Sequence, residues 1–158
     1  MKVAASSLAP SRQEAGMRAK LPLRISSVVL LVFAIGHTAG FLSFRPKEPA
    51  AVGVLESMKH VPFDFGGRTV HWMDLYTGFG LDISIVGFVF PVIAWRLSTA
   101  SDSEAPLARL IAWLLCAIQI GGAVLSLRYF GPVQAAFSLA CAALLAWGAL
   151  RLKAAAPA

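Results

Sequence analysis

The stretch LYTGFGLDISIVGFVFPVIAW, residues 75–95, has Asp82 as its one charge and is bracketed by Asp74 and Arg96. A helix rises about 1.5 Å per residue, so roughly 20 apolar residues cross a hydrocarbon core of about 30 Å. The segment therefore reads as a transmembrane helix. Working outward, charged residues bracket three further runs of similar length, at 25–44, 110–127 and 132–150. The expected fold is all-α: an antiparallel four-helix transmembrane bundle occupying residues 22–153.

Composition agrees. Of 158 residues, 58% are hydrophobic and 14% charged, with a mean hydropathy of +0.71. Soluble domains have fewer apolar and more charged residues. The net charge of +6 does not point to nucleic acid, because the basic residues form no aromatic-interleaved cluster and no binding motif. They are better explained by topology, since Lys and Arg near span ends set orientation. With the amino terminus inside, nine of the 14 basic residues lie on the cytoplasmic side and five outside. Both termini are thus expected in the cytoplasm, with Trp95, Trp113 and Trp147 near the inner interface and Trp72, Tyr76 and Tyr129 near the outer one. Residues 1–21 are expected to form a mobile cytoplasmic tail and 154–158 a short second tail. The first span is read as uncleaved, because Gly36-His37-Thr38 is a poor approach to a signal-peptide cleavage site.

The turn between the last two spans is Tyr129-Phe130-Gly131-Pro132, in which Gly frees the dihedrals and Pro opens the next helix without losing a needed donor. Pro91 is expected to bend the second span. Gly36 and Gly40, and the stripe Gly80, Ser84, Gly87, provide small surfaces for helix packing. Cys116 and Cys141 lie within apolar runs and read as small packing residues.

Depth singles out a candidate site. His37 and Asp82 each lie about 10 Å below the outer interface, Gln119 roughly 12 Å and Ser138 about 9 Å by the helical rise. Strongly polar groups at such depth turn toward a bundle interior or a wet cavity, so all four spans are expected to offer a polar group to one outer-side pocket. Burial pushes a carboxylate toward neutrality and a nearby imidazolium draws it back, so a His37–Asp82 pair could share or relay a proton, or simply fix helix register. No cofactor or metal is expected. One His lies within the spans, too few for paired axial haem ligands, and no Cys/His cluster has zinc-like spacing. No glycine-rich nucleotide loop is present.

The outer loop, 45–73, is long enough to expect internal structure. Residues 49–59 are expected to form a short interfacial helix with Ala51, Leu55 and Met58 on its apolar side. The stretch Pro62-Phe63-Asp64-Phe65 and the turn Gly66-Gly67 then lead to Arg68, His71, Trp72 and Asp74, which are expected near the pocket mouth. His71 and Asp74 stand at the spacing of a pair, and Arg68 could meet Asp64 or a lipid phosphate.

Phe63-Asp64-Phe65-Gly66-Gly67, the run Trp72-Met73-Asp74-Leu75-Tyr76-Thr77-Gly78-Phe79-Gly80-Leu81 and the earlier Gly36-His37-Thr38 resemble a family of small bacterial four-span membrane proteins without an established activity. The resemblance covers about the first three spans. It implies the four-helix architecture in a bacterial cytoplasmic membrane and brings no ligand or catalytic residue.

The functional expectation is a protein that binds a lipophilic small molecule such as a lipid, quinone or isoprenoid. His37 and Asp82 would orient the polar head, and Gln119, Ser138 and Tyr76 would add hydrogen bonds. Two alternatives stay open: a membrane-embedded acid/base isomerase or cyclase with Asp82 as proton donor, and a structural accessory subunit of a membrane complex or homo-oligomer.

Overall fold

The computed structural model describes residues 12–152, with side chains from Lys20 onward. Its elements run α1 (Arg12–Ser43), α2 (Pro49–His60), β1 (Pro62–Phe65), β2 (Arg68–His71), α3 (Trp72–Ser98), α4 (Ala105–Tyr129) and α5 (Pro132–Arg151). Among the described residues, four stretches are long and apolar enough to cross a membrane: Lys20–Ser43, Trp72–Ser98, Ala105–Tyr129 and Pro132–Arg151. The chain is a multi-pass integral membrane protein. Helices α3 and α4 overrun their charge-bracketed spans by a few residues at each end, since charges mark the edge of the hydrocarbon and the backbone ladder continues past it.

The described residues are all-α in class, as expected. Helix α1 begins at Arg12, within the segment expected as a tail; residues 1–11 and 153–158 lie outside the described residues. The loop between α1 and α3 adds one small hairpin. The turn Gly66-Gly67 joins two four-residue strands paired in antiparallel register from Pro62↔His71 to Phe65↔Arg68. Both glycines have positive φ, 61° and 80°, the backbone that lets a two-residue turn follow the right-handed twist of a hairpin.

The chain divides into two compact units, one formed by residues up to Val29 with those from Pro91 onward, the other by Leu30–Phe90. In the first, α4 and α5 form a hairpin sealed by small residues. Ala108, Ala112, Cys116 and Ala123 are buried on one side, Ala135, Cys141, Ala142, Leu145 and Ala149 on the other. These positions recur at helical spacing and let the two backbones approach closely. Cys116 Sγ lies 3.4 Å from the Ala142 carbonyl oxygen, and both cysteines are free, buried packing residues. Leu23 of α1 is fully buried against Gly148 of α5, where an added Cβ would come within 2.5 Å of Leu23 Cδ2. Ser27 Oγ donates to the Pro91 carbonyl oxygen at 2.7 Å.

Before α4, the Ser101 amide and hydroxyl both donate to the Glu104 carboxylate, at 2.8 and 2.7 Å. The two bonds close the Ser101–Glu104 turn that leads into α4. The two hydrogen bonds from Ser101 hold the Glu104 carboxyl below its usual range.

The second unit contains α1 from Leu30 onward, then α2, the hairpin and the first part of α3. Here α1 meets the Gly80, Ser84, Gly87 stripe of α3. Ala34 lies 3.4 Å from where a Gly87 Cβ would stand, and a Cβ on Gly80 would overlap the Phe41 ring. The small stripe read from the sequence is therefore the surface that receives α1. Helix α2 covers the interval expected for it and has no buried residue. Its Glu56 carboxylate bonds Lys59 Nζ at 2.8 Å and His60 Nε2 at 3.1 Å, and these contacts, that with Lys59 foremost, hold the carboxyl below its ordinary value.

Candidate functional site

His37 lies on the α1 face turned to α3, half-buried, between the rings of Phe33 and Phe41 at centroid distances of 6.3 and 6.2 Å. These residues stand four apart on one helix face. His37 Nε2 is 3.4 Å from the Gly80 carbonyl oxygen, to which Ser84 Oγ also donates at 3.0 Å. A carbonyl can only accept, so Nε2 bears the hydrogen in this contact. The imidazole is a satisfied polar group in an aromatic ladder that Tyr76 extends, its ring 5.5 Å from that of Phe41.

Asp82 does not join it. Asp82 is exposed and makes no hydrogen bond or ion pair among the described residues. The reason is rotational: at about 100° per residue, Asp82 stands roughly 200° around the helix from Gly80, and Gly80 is the position His37 meets. The expected His37–Asp82 contact is not formed, and no carboxylate stands beside the imidazole to exchange a proton with it. Gln119 and Ser138 belong to the other unit. Both are partly exposed and without a hydrogen bond among the described residues; Ser138 Oγ lies against Gly122, 3.6 Å from where a Cβ would be.

The segment between α1 and α3, by contrast, forms a groove. An open hollow of about 570 Å³ is lined by Ala50, Gly53, Val54, Ser57, Met58, Val61 and Trp72. The first six share one face of α2 and its continuation, at spacings of three and four. Of Ala51, Leu55 and Met58, the residues expected on the apolar side of α2, Met58 lines the groove. The seventh, Trp72, opens α3 and is fixed from two directions. Its indole stacks on Phe63 at 4.5 Å with 26° between planes, and Phe65 meets Phe63 edge-on at 6.2 Å. Just before it, the His71 amide donates to Asp74 Oδ2 at 2.7 Å, with His71 Nδ1 3.4 Å from the same oxygen. The anticipated His71–Asp74 pair is thus formed, and it caps the first turn of α3.

Arg68 sits exposed at the hairpin end opposite Phe65 and, like His71, does not line the groove. Ser57 Oγ is engaged with the Gly53 carbonyl oxygen at 2.9 Å. The wall therefore offers small and apolar side chains, one hydroxyl and one indole N–H, a composition suited to an alkyl or prenyl chain. The hairpin that orients Trp72 escaped the sequence reading, although Gly66-Gly67 between Phe63-Asp64-Phe65 and Thr69-Val70 is a recognisable hairpin signal.

Among the described residues, no three His, Cys, Asp or Glu side chains gather as metal ligands would. Comparison with protein families, curated proteins and solved structures finds no match to this chain.

Proposed function

We propose that this protein is a non-catalytic binding protein of the membrane that seats the apolar part of a lipophilic molecule, a lipid, quinone or isoprenoid, between α2 and Trp72. The observation behind the reading is the open, largely apolar groove of about 570 Å³ beside Trp72, within the range of roughly 300–1,000 Å³ usual for small-molecule sites. In this reading the four spans form an antiparallel bundle, α2 lies along the outer interface, and both termini are cytoplasmic, as the distribution of nine basic residues against five favours. The resemblance to small bacterial four-span proteins is what supports a bacterial cytoplasmic membrane in this reading. Ligand orientation passes from His37 and Asp82 to Trp72 and Ser57. The isomerase or cyclase alternative needed His37 and Asp82 in contact, and no observation favours it.

The test uses Trp72 as its own reporter. With Trp95, Trp113 and Trp147 changed to Phe, the protein is placed in nanodiscs and titrated with a decyl-substituted benzoquinone, whose ring quenches indole fluorescence. Saturable quenching is expected, and Gly53→Phe, which fills the open space beside Gly53, is expected to weaken it about tenfold. Quenching that rises linearly without saturation, and equally in Gly53→Phe, overturns the proposal.

A further inference from the structure

The face of α3 turned away from His37 presents Gly78, Phe79, Asp82, Ile85, Val86 and Val89, which helical geometry places together. All six are exposed, Phe79 and Ile85 each at 65%. Asp82 is the one charge on this face and stands about 10 Å below the outer edge of the span. A carboxylate facing hydrocarbon at that level is costly, and such groups pair with a cation or a polar cavity. Asp82 has neither among the described residues.

Among the described residues no basic side chain pairs with it. Lys20, Arg24, Arg96, Arg109, Arg128 and Arg151 stand at the ends of spans and Arg45, Lys47, Lys59 and Arg68 in the loop between α1 and α3, while His37 is engaged with Gly80. A second copy meeting this face about a two-fold axis would bring Asp82 against Asp82, setting like charges together. Charge complementarity instead calls for a basic group at the same depth in a different chain. Beside Asp82, nothing lies within 4 Å of where a Gly78 Cβ would stand, so a neighbouring backbone can come close there.

We propose that this face of α3 docks against a transmembrane helix of another protein that carries a Lys or Arg at the depth of Asp82. The carboxylate and the basic side chain form a membrane-buried ion pair, and the flanking Phe79, Ile85 and Val89 pack around it. The inference rests on Asp82 and is independent of the groove beside Trp72.

The experiment places full-length, donor-labelled protein in phosphatidylcholine vesicles with acceptor-labelled model peptides. These are Leu/Ala transmembrane helices bearing one Lys about 10 Å from one end of the span, or Leu at that position. Energy transfer is expected to show the Lys peptide binding about tenfold more tightly than the Leu peptide. Asp82→Asn, an exposed substitution that leaves the fold intact, is expected to remove that preference, and Gln119→Ala to retain it. Equal binding of the two peptides overturns the proposal. So does energy transfer between two labelled copies of the protein that Asp82→Asn abolishes, which would make a second copy the occupant of this face.

Discussion

Gly148→Ala measures how tightly α5 is held against α1. The added Cβ would lie 2.5 Å from Leu23 Cδ2 and 2.6 Å from Leu23 Cγ, whereas carbons pack at about 3.5–4.0 Å. The overlap of about 1 Å reaches the branch point of Leu23, not only its tip, and Leu23 is fully buried. Relief therefore requires a new rotamer or a shift of the helix. Overpacking of this kind costs about 1–3 kcal/mol, and replacing a helical glycine with alanine returns about 0.8–1.0 kcal/mol. Since the branch point is involved, the upper part of the range applies, and the expected net loss is about 1–2 kcal/mol. The assay is reversible unfolding in mixed micelles at rising SDS fraction, followed by circular dichroism. Gly121→Ala on α4, with nothing within 4 Å of its Cβ position, serves as the control and is expected to be neutral or stabilising. Adding Leu23→Ala removes the clashing atoms while the helix-propensity gain stays, so the double-mutant cycle should show a favourable coupling of about 2–3 kcal/mol. A Gly148→Ala protein as stable as the parent, or effects that simply add, would refute the packing argument.

Ser27→Ala removes a 2.7 Å bond to the Pro91 carbonyl and is expected to cost about 0.5–1.5 kcal/mol in the same micelle assay, with Ser27→Thr recovering most of it. At the α4 entry, the Glu104 carboxyl is held below the ordinary glutamate value of 4.5 by the Ser101 amide and hydroxyl. A lowered folded-state pKa contributes stability above the unfolded value that is lost as pH falls through the folded one. The Ser101 amide should accordingly stay protected from hydrogen exchange down through 4.5 and lose protection only below it, while Glu104→Gln should abolish that pH dependence. Gly66→Val places a β-branched residue at φ 61°, at a cost of about 1–2 kcal/mol. It is expected to loosen the hairpin and red-shift Trp72 emission in the single-tryptophan protein, with Gly66→Asn tolerated.

The four spans were legible because charge is excluded from hydrocarbon and marks where each crossing ends. Helix α2 was legible from its length between prolines and its apolar spacing. Rotation about each helix axis was harder to read. Counting along a helix gives an expected depth and sets His37 and Asp82 at one level, but sharing a level does not make two groups face each other. The missing angle was partly present in the sequence: the small stripe Gly80, Ser84, Gly87 marks the side of α3 that accepts a neighbour, and Asp82 lies two residues from Gly80 and from Ser84. That placement turns Asp82 away from whatever packs on the stripe. The groove beside Trp72 was out of reach, because it depends on a two-strand hairpin stacking Phe63 on the indole and on how α2 lies over it, both set by contacts between elements distant in the chain.

Three arginines rest on aromatic faces of their own chain: Arg24 over Trp95 at 5.6 Å, Arg128 over Tyr129 at 5.4 Å and Arg151 over Trp147 at 5.7 Å. A guanidinium lying on a π-face keeps its edge free for water while its flat side is sheltered. The protein thereby supplies part of the environment that anionic headgroups would otherwise provide. Vertical seating of these helices should then change little when a bilayer is switched from acidic to zwitterionic lipid, leaving surface charge to govern the basic groups of the outer loop.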